Sequence, residues 1–182
     1  MGYLKLILGP MFSGKSSKLI ELIRKYKIIN YKLLIIKNAI DNRYSNDSKI
    51  ISHNEDSEPC ISISNLNNIF QDQILSNKYF ESKVIFIEEA QFFKDLYNFI
   101  LSALKDDKII FVVGLNGDSN QLNFGEIHKL LPVCDDIELL KACCKICMDE
   151  TPALFSKRII QREEQVHVGG VDEYIPVCRK HF

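Results

Sequence analysis

The feature that most constrains the fold of this 182-residue chain is a phosphate-loop pattern, Gly9-Pro10-Met11-Phe12-Ser13-Gly14-Lys15-Ser16. It matches G-x-x-x-x-G-K-[ST] and stands between an apolar run and a segment with helical periodicity. Its two glycines allow the backbone to curl, so that successive N–H groups face a phosphate at the positive end of a helix. Lys15 is expected to reach the β and γ phosphates of ATP, and Ser16 is expected to hold Mg²⁺.

Short apolar runs alternate with helix-length sequence on both sides of this loop. Residues 3–8 precede it, and three further runs have the composition of buried parallel strands: 33–36, 84–87 and 109–113. Leu19, Ile20 and Ile23 form a helical stripe after the loop, and Leu96 to Leu104 carry a second one. This order predicts an α/β fold, in which a parallel sheet of the phosphate-loop, RecA-like kind is flanked by helices.

Two acids, Glu88 and Glu89, close the third apolar run and are followed by Ala90-Gln91-Phe92-Phe93. In open α/β sheets, ligands bind beyond the carboxyl ends of the strands, so both carboxylates are expected beside the phosphate loop. That position suits a Mg²⁺-associated carboxylate followed by a general base that accepts a hydroxyl proton. A solvated acidic strand end is the alternative that the residues alone leave open.

Cysteines cluster in the last forty residues, in the pairs Cys144-x-x-Cys147 and Cys178-x-x-His181. Three thiolates and one imidazole form a ligand set suited to a structural, tetrahedral Zn²⁺. Free thiols are the alternative, and the neighbouring Cys143 leaves the register of the first pair open. Because the cysteines cluster after about residue 140, we expect a nucleotide-binding domain over 1–139 and a zinc-binding domain over 140–182.

Residues 38–65 are polar and rich in Asn, Ser and Asp. They show no apolar periodicity, so we expect a mobile surface loop. Arg43 is the cation of interest in this stretch, because a guanidinium on such a loop can contact phosphate. We count it among the candidate catalytic residues.

The charge balance is near neutral, with 23 basic and 24 acidic side chains. It disfavours a nucleic-acid partner, because neither part of the chain is a basic module. The longest apolar runs fall far short of the roughly 20 residues of a membrane-spanning helix. The N-terminus runs directly into a strand-like segment without the regions of a signal peptide. A cytoplasmic location, with reduced cysteines, is therefore expected.

Motifs spread in order over nearly the whole chain resemble one family. They are the phosphate loop, Glu88 to Phe93, Gly114-Leu115-Asn116-Gly117 before Phe124-Gly125, Phe155-Ser156-Lys157-Arg158, Gly169-Gly170 before Tyr174, and Asp41-x-Arg43-Tyr44. Together they resemble the cellular and poxvirus-type thymidine kinases, the zinc-containing type II class. The resemblance implies transfer of the γ-phosphate of ATP to the 5′-hydroxyl of thymidine, and also of deoxyuridine, in nucleotide salvage.

The resemblance also implies roles for individual residues. Glu89 is then the general base, with Lys15 and Arg43 as further catalytic groups, and Glu88 stands where the family has a Mg²⁺-associated Asp. ATP and Mg²⁺ would be bound by Gly9, Met11, Phe12, Ser13, Gly14, Lys15, Ser16, Glu88 and Gln91. The nucleoside would be surrounded by Met11, Phe92, Leu115, Phe124, Ser156, His167, Val168 and Tyr174. Zinc would be held by Cys144, Cys147, Cys178 and His181, and would anchor a lasso-like loop.

Family members are usually tetramers inhibited by the end-product triphosphate, so a homotetramer and feedback by dTTP are expected. Two other functions remain open from the residues alone. One is a phosphate-loop ATPase whose zinc module binds nucleic acid, which the neutral charge disfavours. The other is a nucleotide sensor without catalysis, in which the acids at 88 and 89 are surface charges.

Overall fold

The order of strands and helices follows the alternation of apolar runs in the sequence. The computed structural model describes residues 1–40, 48–52, 56–161, 164–167, 169–170 and 172–182. In chain order the described helices and strands are β1 (Tyr3–Leu8), α1 (Lys15–Ile28), β2 (Leu33–Asn38), β3 (Lys49–Ile51), β4 (Ser57–Pro59), β5 (Ile61–Ile63), α2 (Gln73–Glu81), β6 (Val84–Glu88), α3 (Leu96–Lys105), β7 (Ile109–Gly114), α4 (Ile127–Leu130), β8 (Asp136–Leu139), β9 (Ala142–Cys143), β10 (Pro152–Ala153), β11 (Phe155–Arg158) and β12 (Tyr174–Val177).

The central sheet has the strand order β5-β2-β6-β7-β1-β8, and every neighbouring pair in it is parallel. Its inner strands are buried on both faces, which explains why they are continuous apolar runs rather than alternating ones. The predicted parallel sheet is therefore confirmed. Because β6, β7 and β1 are adjacent and parallel, their carboxyl ends lie side by side at one end of the sheet.

Two apolar cores hold helices against the faces of this sheet. On one face, Leu19, Ile20 and Ile23 of α1 pack against Phe86 and Phe111, whose rings stack with centroids 5.1 Å apart. On the other face, α3 buries its apolar stripe against β6 and β7. Full burial of each such side chain contributes about 1.5–3 kcal/mol to the free energy of folding, so these contacts hold α1 and α3 against the sheet.

The part of the chain after β8 forms two small antiparallel sheets, β9 with β10 and β11 with β12. The loop between β11 and β12, residues 159–173, is called the lasso loop below. Its ends are tied together by the pairing of Arg158 with Tyr174. The proposed boundary near Leu139 falls where the last strand of the large sheet ends, and the division into two domains stays a prediction.

The expectation of a surface loop over 38–65 is wrong for its described parts. β3 and β4 form an antiparallel pair, and β5 extends the central sheet by pairing with β2. Residues 41–47, which include Arg43, and 53–55 lie outside the described residues. Within the described part of the chain, no helix is both long and apolar enough to cross a membrane.

Candidate active site

The phosphate loop lies between β1 and α1, as the sequence predicts. Gly14 has φ +81°, a left-handed conformation that favours glycine, and α1 begins at the next residue. A Cβ at Gly9 would lie 2.6 Å from Ser13 Oγ and 2.7 Å from the carbonyl oxygen of Leu140, so this position also needs glycine. The first N–H groups of a helix have no carbonyl partner within it, and here they open onto the loop.

Two polar groups of this loop point to an anionic ligand. Lys15 Nζ donates to the carbonyl oxygen of Pro10 at 2.7 Å, so its ammonium stays over the loop. Ser13 Oγ is buried and has no hydrogen-bond partner in the described structure. Buried hydroxyls without partners are rare in folded proteins, and a phosphate oxygen is a natural acceptor for this one.

The acids at the end of β6 have different surroundings. Glu88 is the last residue of the strand and is buried, with its Cα paired in register to that of Lys37. Glu89 follows with φ +52°, a left-handed conformation that non-glycine residues adopt infrequently. Such backbone conformations cluster at functional sites, and this one turns the chain where the carboxylate meets the cavity.

Gln91 fixes the position of the Glu89 carboxylate. Its Oε1 accepts the backbone N–H of Leu115 at 3.2 Å, and its Nε2 donates to Glu89 Oε2 at 2.5 Å. Because the N–H of Leu115 can only donate, it sets the orientation of the Gln91 amide. The carboxylate is thereby tied to the ends of both β6 and β7.

Aromatic and small side chains form the other wall of the cavity. The rings of Phe92 and Phe124 meet edge to face at 89° with centroids 5.5 Å apart. Ser156 Oγ accepts the backbone N–H of Met11 at 2.8 Å and so joins β11 to the phosphate loop. Tyr174 donates its hydroxyl proton to the carbonyl oxygen of His167 at 2.9 Å, which places the lasso loop beside these rings.

One cavity of about 950 Å³, counted to its open mouth, brings these groups together. Most of the site residues predicted from the sequence line it: Met11, Phe12, Ser13, Gly14, Lys15, Ser16, Glu89, Gln91, Phe92, Leu115, Phe124, Ser156, His167 and Tyr174. Gly9 and Glu88 are buried behind the lining. Arg43 and Val168 lie outside the described residues.

The cavity also has polar lining residues that the sequence reasoning missed, Asp118 and Gln165 among them. Asp118 follows the carboxyl end of β7, where polar side chains often face a ligand, and that position was the available signal. Gln165 carried no signal, because its place depends on the path of the lasso loop.

Cys144, Cys147, Cys178 and His181 converge in one cluster, with their ligand atoms within 4.8 Å of one another. His181 Nδ1 lies 3.6, 3.3 and 3.4 Å from the sulfurs of Cys144, Cys147 and Cys178, and the latter two sulfurs are 3.8 Å apart. A tetrahedral Zn²⁺ with ordinary bond lengths requires about 3.6 Å between sulfur and nitrogen and about 3.8 Å between sulfurs. The donor set therefore fits zinc, and the exposed Cys143 stands outside it.

The surroundings of this cluster shift the pKa values of Cys144 and Cys147 in opposite directions. Burial raises the pKa of the Cys144 thiol, but hydrogen bonds from the backbone N–H groups of Cys147 and Cys178 outweigh it and lower that pKa to about 5. Burial, with the Cys144 sulfur beside it, raises the pKa of the Cys147 thiol to about 11. A divalent cation binds both as thiolates, so its binding must displace a proton here.

A phosphate loop, an acid after β6 at the same end of the sheet and an aromatic cleft define an ATP-dependent phosphotransferase of the phosphate-loop class. Residues 2–182 match the thymidine kinase family. The chain therefore belongs to the thymidine kinase family.

Named relatives cover almost the whole chain. It is 38% identical to the thymidine kinase of fowlpox virus, over 100% of this chain and 97% of that protein. It is 39% identical to the thymidine kinase of Yaba monkey tumor virus, over 98% and 93% of the two chains. Thymidine kinase a of Arabidopsis thaliana is 36% identical over 100% of this chain and 75% of its own length.

Proposed function

We propose that this cavity transfers the γ-phosphate of ATP to the 5′-hydroxyl of thymidine, giving dTMP in nucleotide salvage, and that deoxyuridine is also accepted. The observation that carries the proposal is the convergence of Lys15, Glu89 and the pair Phe92 and Phe124 on one cavity. Phosphoryl transfer needs the donor phosphate, the base and the acceptor in such an arrangement. Membership in the thymidine kinase family supports this choice of substrates.

We assign the phosphate side of the reaction to the loop and α1. The backbone N–H groups at the start of α1 hold the phosphates, and Ser13 Oγ gains there the partner it otherwise lacks. Lys15 exchanges its contact with the Pro10 carbonyl for a β or γ phosphate oxygen and offsets charge on the leaving group. Arg43 is proposed as a second cation for the phosphates.

We propose a Mg²⁺ site between the loop and the end of β6, because the Ser16 hydroxyl and the Glu88 carboxylate offer the kind of oxygen donor that this ion prefers. Ser16 would hold it directly, and Glu88 would hold it through water. When bound, it neutralises charge on the phosphate oxygens.

We assign Glu89 as the general base that accepts the 5′-hydroxyl proton. Gln91 donates to one carboxylate oxygen, Oε2, and so orients the Glu89 carboxylate where it lines the cavity. The geometry is set by the backbone of β7 through Leu115, so the base is held in place before the substrate binds. Among the described residues, Asp118 is the other acid that lines the cavity. Its carboxylate already accepts the backbone N–H of Leu122.

We assign the nucleoside to the aromatic side of the cavity. Phe92 and Phe124 offer ring edges and faces to the base, and Met11 and Leu115 add apolar contact. Ser156, the lasso backbone at His167 and Val168, and the Tyr174 ring cover it from the other side. Covering the acceptor excludes water, which would otherwise compete for the phosphoryl group.

We propose that the Cys₃His cluster holds one structural Zn²⁺. Three thiolates and an imidazole close its coordination sphere, so the ion is stabilising rather than catalytic. It would join β9 to β12, the strand that follows the lasso loop, because Cys144 and Cys147 follow β9 while Cys178 and His181 follow β12.

Three further properties are proposed on narrower grounds. A homotetramer is supported by exposed apolar side chains on α1, α2 and the edge strand β8, among them Ile28, Ile74, Phe80 and Ile137. Feedback by dTTP is supported by the continuity of the aromatic and phosphate parts of the cavity, which one molecule can span. A cytoplasmic location is supported by the six cysteines, none of which forms a disulfide bond in the described part of the chain.

The test is a panel assay of the purified protein with ATP, Mg²⁺ and each common nucleoside. ATP consumption that depends on thymidine, with ADP and dTMP formed in equal amounts, supports the proposal. ATP consumption without any nucleoside, stimulated by nucleic acid, would instead support the ATPase alternative.

A further inference from the structure

A polar pair joins the two sides of the cavity at a distance from the Cys₃His cluster. Gln165 of the lasso loop donates its Nε2 to Asp118 Oδ2 at 2.6 Å and to the carbonyl oxygen of Asn123 at 3.2 Å. Both members of the pair line the cavity. The loop that carries Asp118 also carries Leu115 and Phe124, so this contact links two walls of the nucleoside site.

Asp118 is held by hydrogen bonds within its own loop, independently of the lasso loop. Its carboxylate is buried, and Oδ1 accepts the backbone N–H groups of Asn120 at 2.8 Å and Leu122 at 2.9 Å. The N–H of Asp118 in turn donates to the carbonyl oxygen of Leu122 at 3.0 Å. These bonds hold the carboxylate rigidly and leave Oδ2 for the Gln165 amide.

The Gln165 side is connected to the groups that cover the nucleoside. Arg158 donates through Nη2 to the Gln165 carbonyl oxygen at 3.3 Å and through Nε to the Tyr174 hydroxyl at 3.1 Å. Tyr174 in turn holds the His167 carbonyl oxygen. The lasso loop is thus braced internally, and a contact at Gln165 sets the position of Tyr174 and His167 as well.

We propose that Asp118 and Gln165 are positioning residues that set the affinity for the nucleoside, by holding the lasso loop against the loop that carries Leu115 and Phe124. Among the described residues, the side-chain hydrogen bonds of the pair run to each other and to the backbone of residues 120–123, not to Lys15 or Glu89. The inference rests on the proposed thymidine kinase activity. Its signature is a change in the KM for thymidine with kcat and the KM for ATP preserved.

The experiment exchanges the carboxylate and the amide between positions 118 and 165. Gln165→Glu sets two carboxylates against each other, and we expect a rise of about tenfold in the KM for thymidine. Asp118→Asn keeps Oδ1 for the N–H groups of Asn120 and Leu122 and places an N–H donor where Oδ2 was. The double variant Asp118→Asn/Gln165→Glu therefore restores one charge-assisted bond, and its KM should return to within about threefold of the wild-type value.

Gln161→Glu is the matched control, because it adds the same charge to the same loop at an exposed residue with no hydrogen bond of its side chain in the described structure. Its KM should equal that of the wild type. Thermal unfolding of each variant is measured alongside, and similar melting temperatures show that the folds are intact.

Recovery in the double variant is the result that a purely structural role would not give. The inference is overturned if Gln165→Glu leaves the KM unchanged, if the double variant is no better than Gln165→Glu, or if kcat falls while KM stays constant. The wild type is assayed first. If the wild type shows no thymidine-dependent turnover, the proposed function itself fails. If the wild type turns over thymidine but the variants do not show the expected KM changes, only the inference about Asp118 and Gln165 fails.

Discussion

The two halves of the cavity are held by different kinds of force. Glu89 and Gln91 follow β6, which is buried on both faces, and Lys15 begins α1 just after the phosphate loop. Hydrogen bonds to backbone groups hold the Gln91 and Lys15 side chains. Ser156, His167 and Tyr174 belong to a two-stranded sheet and the lasso loop. That half is held by a few polar contacts and by the Cys₃His cluster.

Under the proposed function, this difference separates the residues of the chemical step from those that bind the nucleoside. Groups that must meet the reacting atoms within a fraction of an ångström are placed by the most densely packed part of the fold. Groups that must admit and release a nucleoside are placed by contacts that break at modest cost. We call the half of the cavity at the carboxyl ends of β1, β6 and β7 the sheet-edge side, and the half formed by β11, β12 and the lasso loop the lasso side. We therefore expect substitutions on the sheet-edge side to lower kcat, and substitutions on the lasso side to raise the KM for thymidine.

Among the steady-state tests, the largest effect is expected on the sheet-edge side, for Lys15→Ala. Loss of an ammonium that offsets phosphate charge typically costs ~3–4 kcal/mol in the transition state, so kcat should fall by a factor of ~10²–10³. Lys18→Ala is the control, since Lys18 lies on the same helix but pairs with Glu21 on the surface. Steady-state kinetics with saturating thymidine and ATP measure both, and near-normal turnover by Lys15→Ala would reject the phosphate-loop assignment.

The next effect is expected on the lasso side, for Cys178→Ser. Purified wild-type protein should carry about one Zn²⁺ per chain, and this variant should lose it, with a lower melting temperature and a KM for thymidine raised about tenfold or more. Cys143→Ser is the matched control, because that thiol is exposed beside the cluster but outside it. Elemental analysis that finds no zinc in protein prepared without chelators would refute the zinc site.

A smaller effect separates the two acids on the sheet edge. Glu88→Asp keeps a carboxylate at the end of β6 and should retain substantial activity. Glu88→Gln removes the charge, so its rate should fall and should recover in part when Mg²⁺ is raised. Titration of the rate against Mg²⁺ concentration measures this, and an unchanged Mg²⁺ dependence in Glu88→Gln would contradict the assignment.

The smallest effect is expected for Ser156→Ala on the lasso side. It leaves the N–H of Met11 without its acceptor, and one hydrogen bond of this kind contributes ~0.5–1.5 kcal/mol. The KM for thymidine should rise by a factor of about two to ten while kcat changes little. Ser156→Thr keeps the hydroxyl and serves as the comparison. A fall in kcat with unchanged KM would place Ser156 on the chemical side instead.

The sheet-edge half was largely predictable from the sequence, because its signals are local. A buried parallel strand needs an uninterrupted apolar run, and β6 and β7 have one each. The phosphate loop requires glycine where φ is positive or the packing is close, and the pattern shows both positions. The Cys-x-x-Cys and Cys-x-x-His spacings likewise predict the Cys₃His cluster.

Other parts depend on contacts between residues far apart in the chain. β5 is three residues long within a polar stretch, and it becomes a strand by pairing with the edge of β2. β8 joins the sheet beside β1, where Lys5 pairs with Asp136 and Glu138 at 3.0 and 2.9 Å. The bond of Gln165 to Asp118 spans two loops. None of these has a periodic or motif signal, so sequence reasoning missed them.

The central claim is that Glu89 of the sheet edge takes the 5′-hydroxyl proton of a thymidine held by the lasso side. Rapid quench with enzyme in excess and ATP labelled in its γ-phosphate measures the transfer step itself, free of product release. For the wild type the label should appear on the 5′-oxygen of thymidine. For Glu89→Gln the rate of that step should fall by a factor of ~10²–10⁴ at saturating substrates, with the affinity for thymidine preserved. A Glu89→Gln variant that transfers label to thymidine at the wild-type rate would contradict the account.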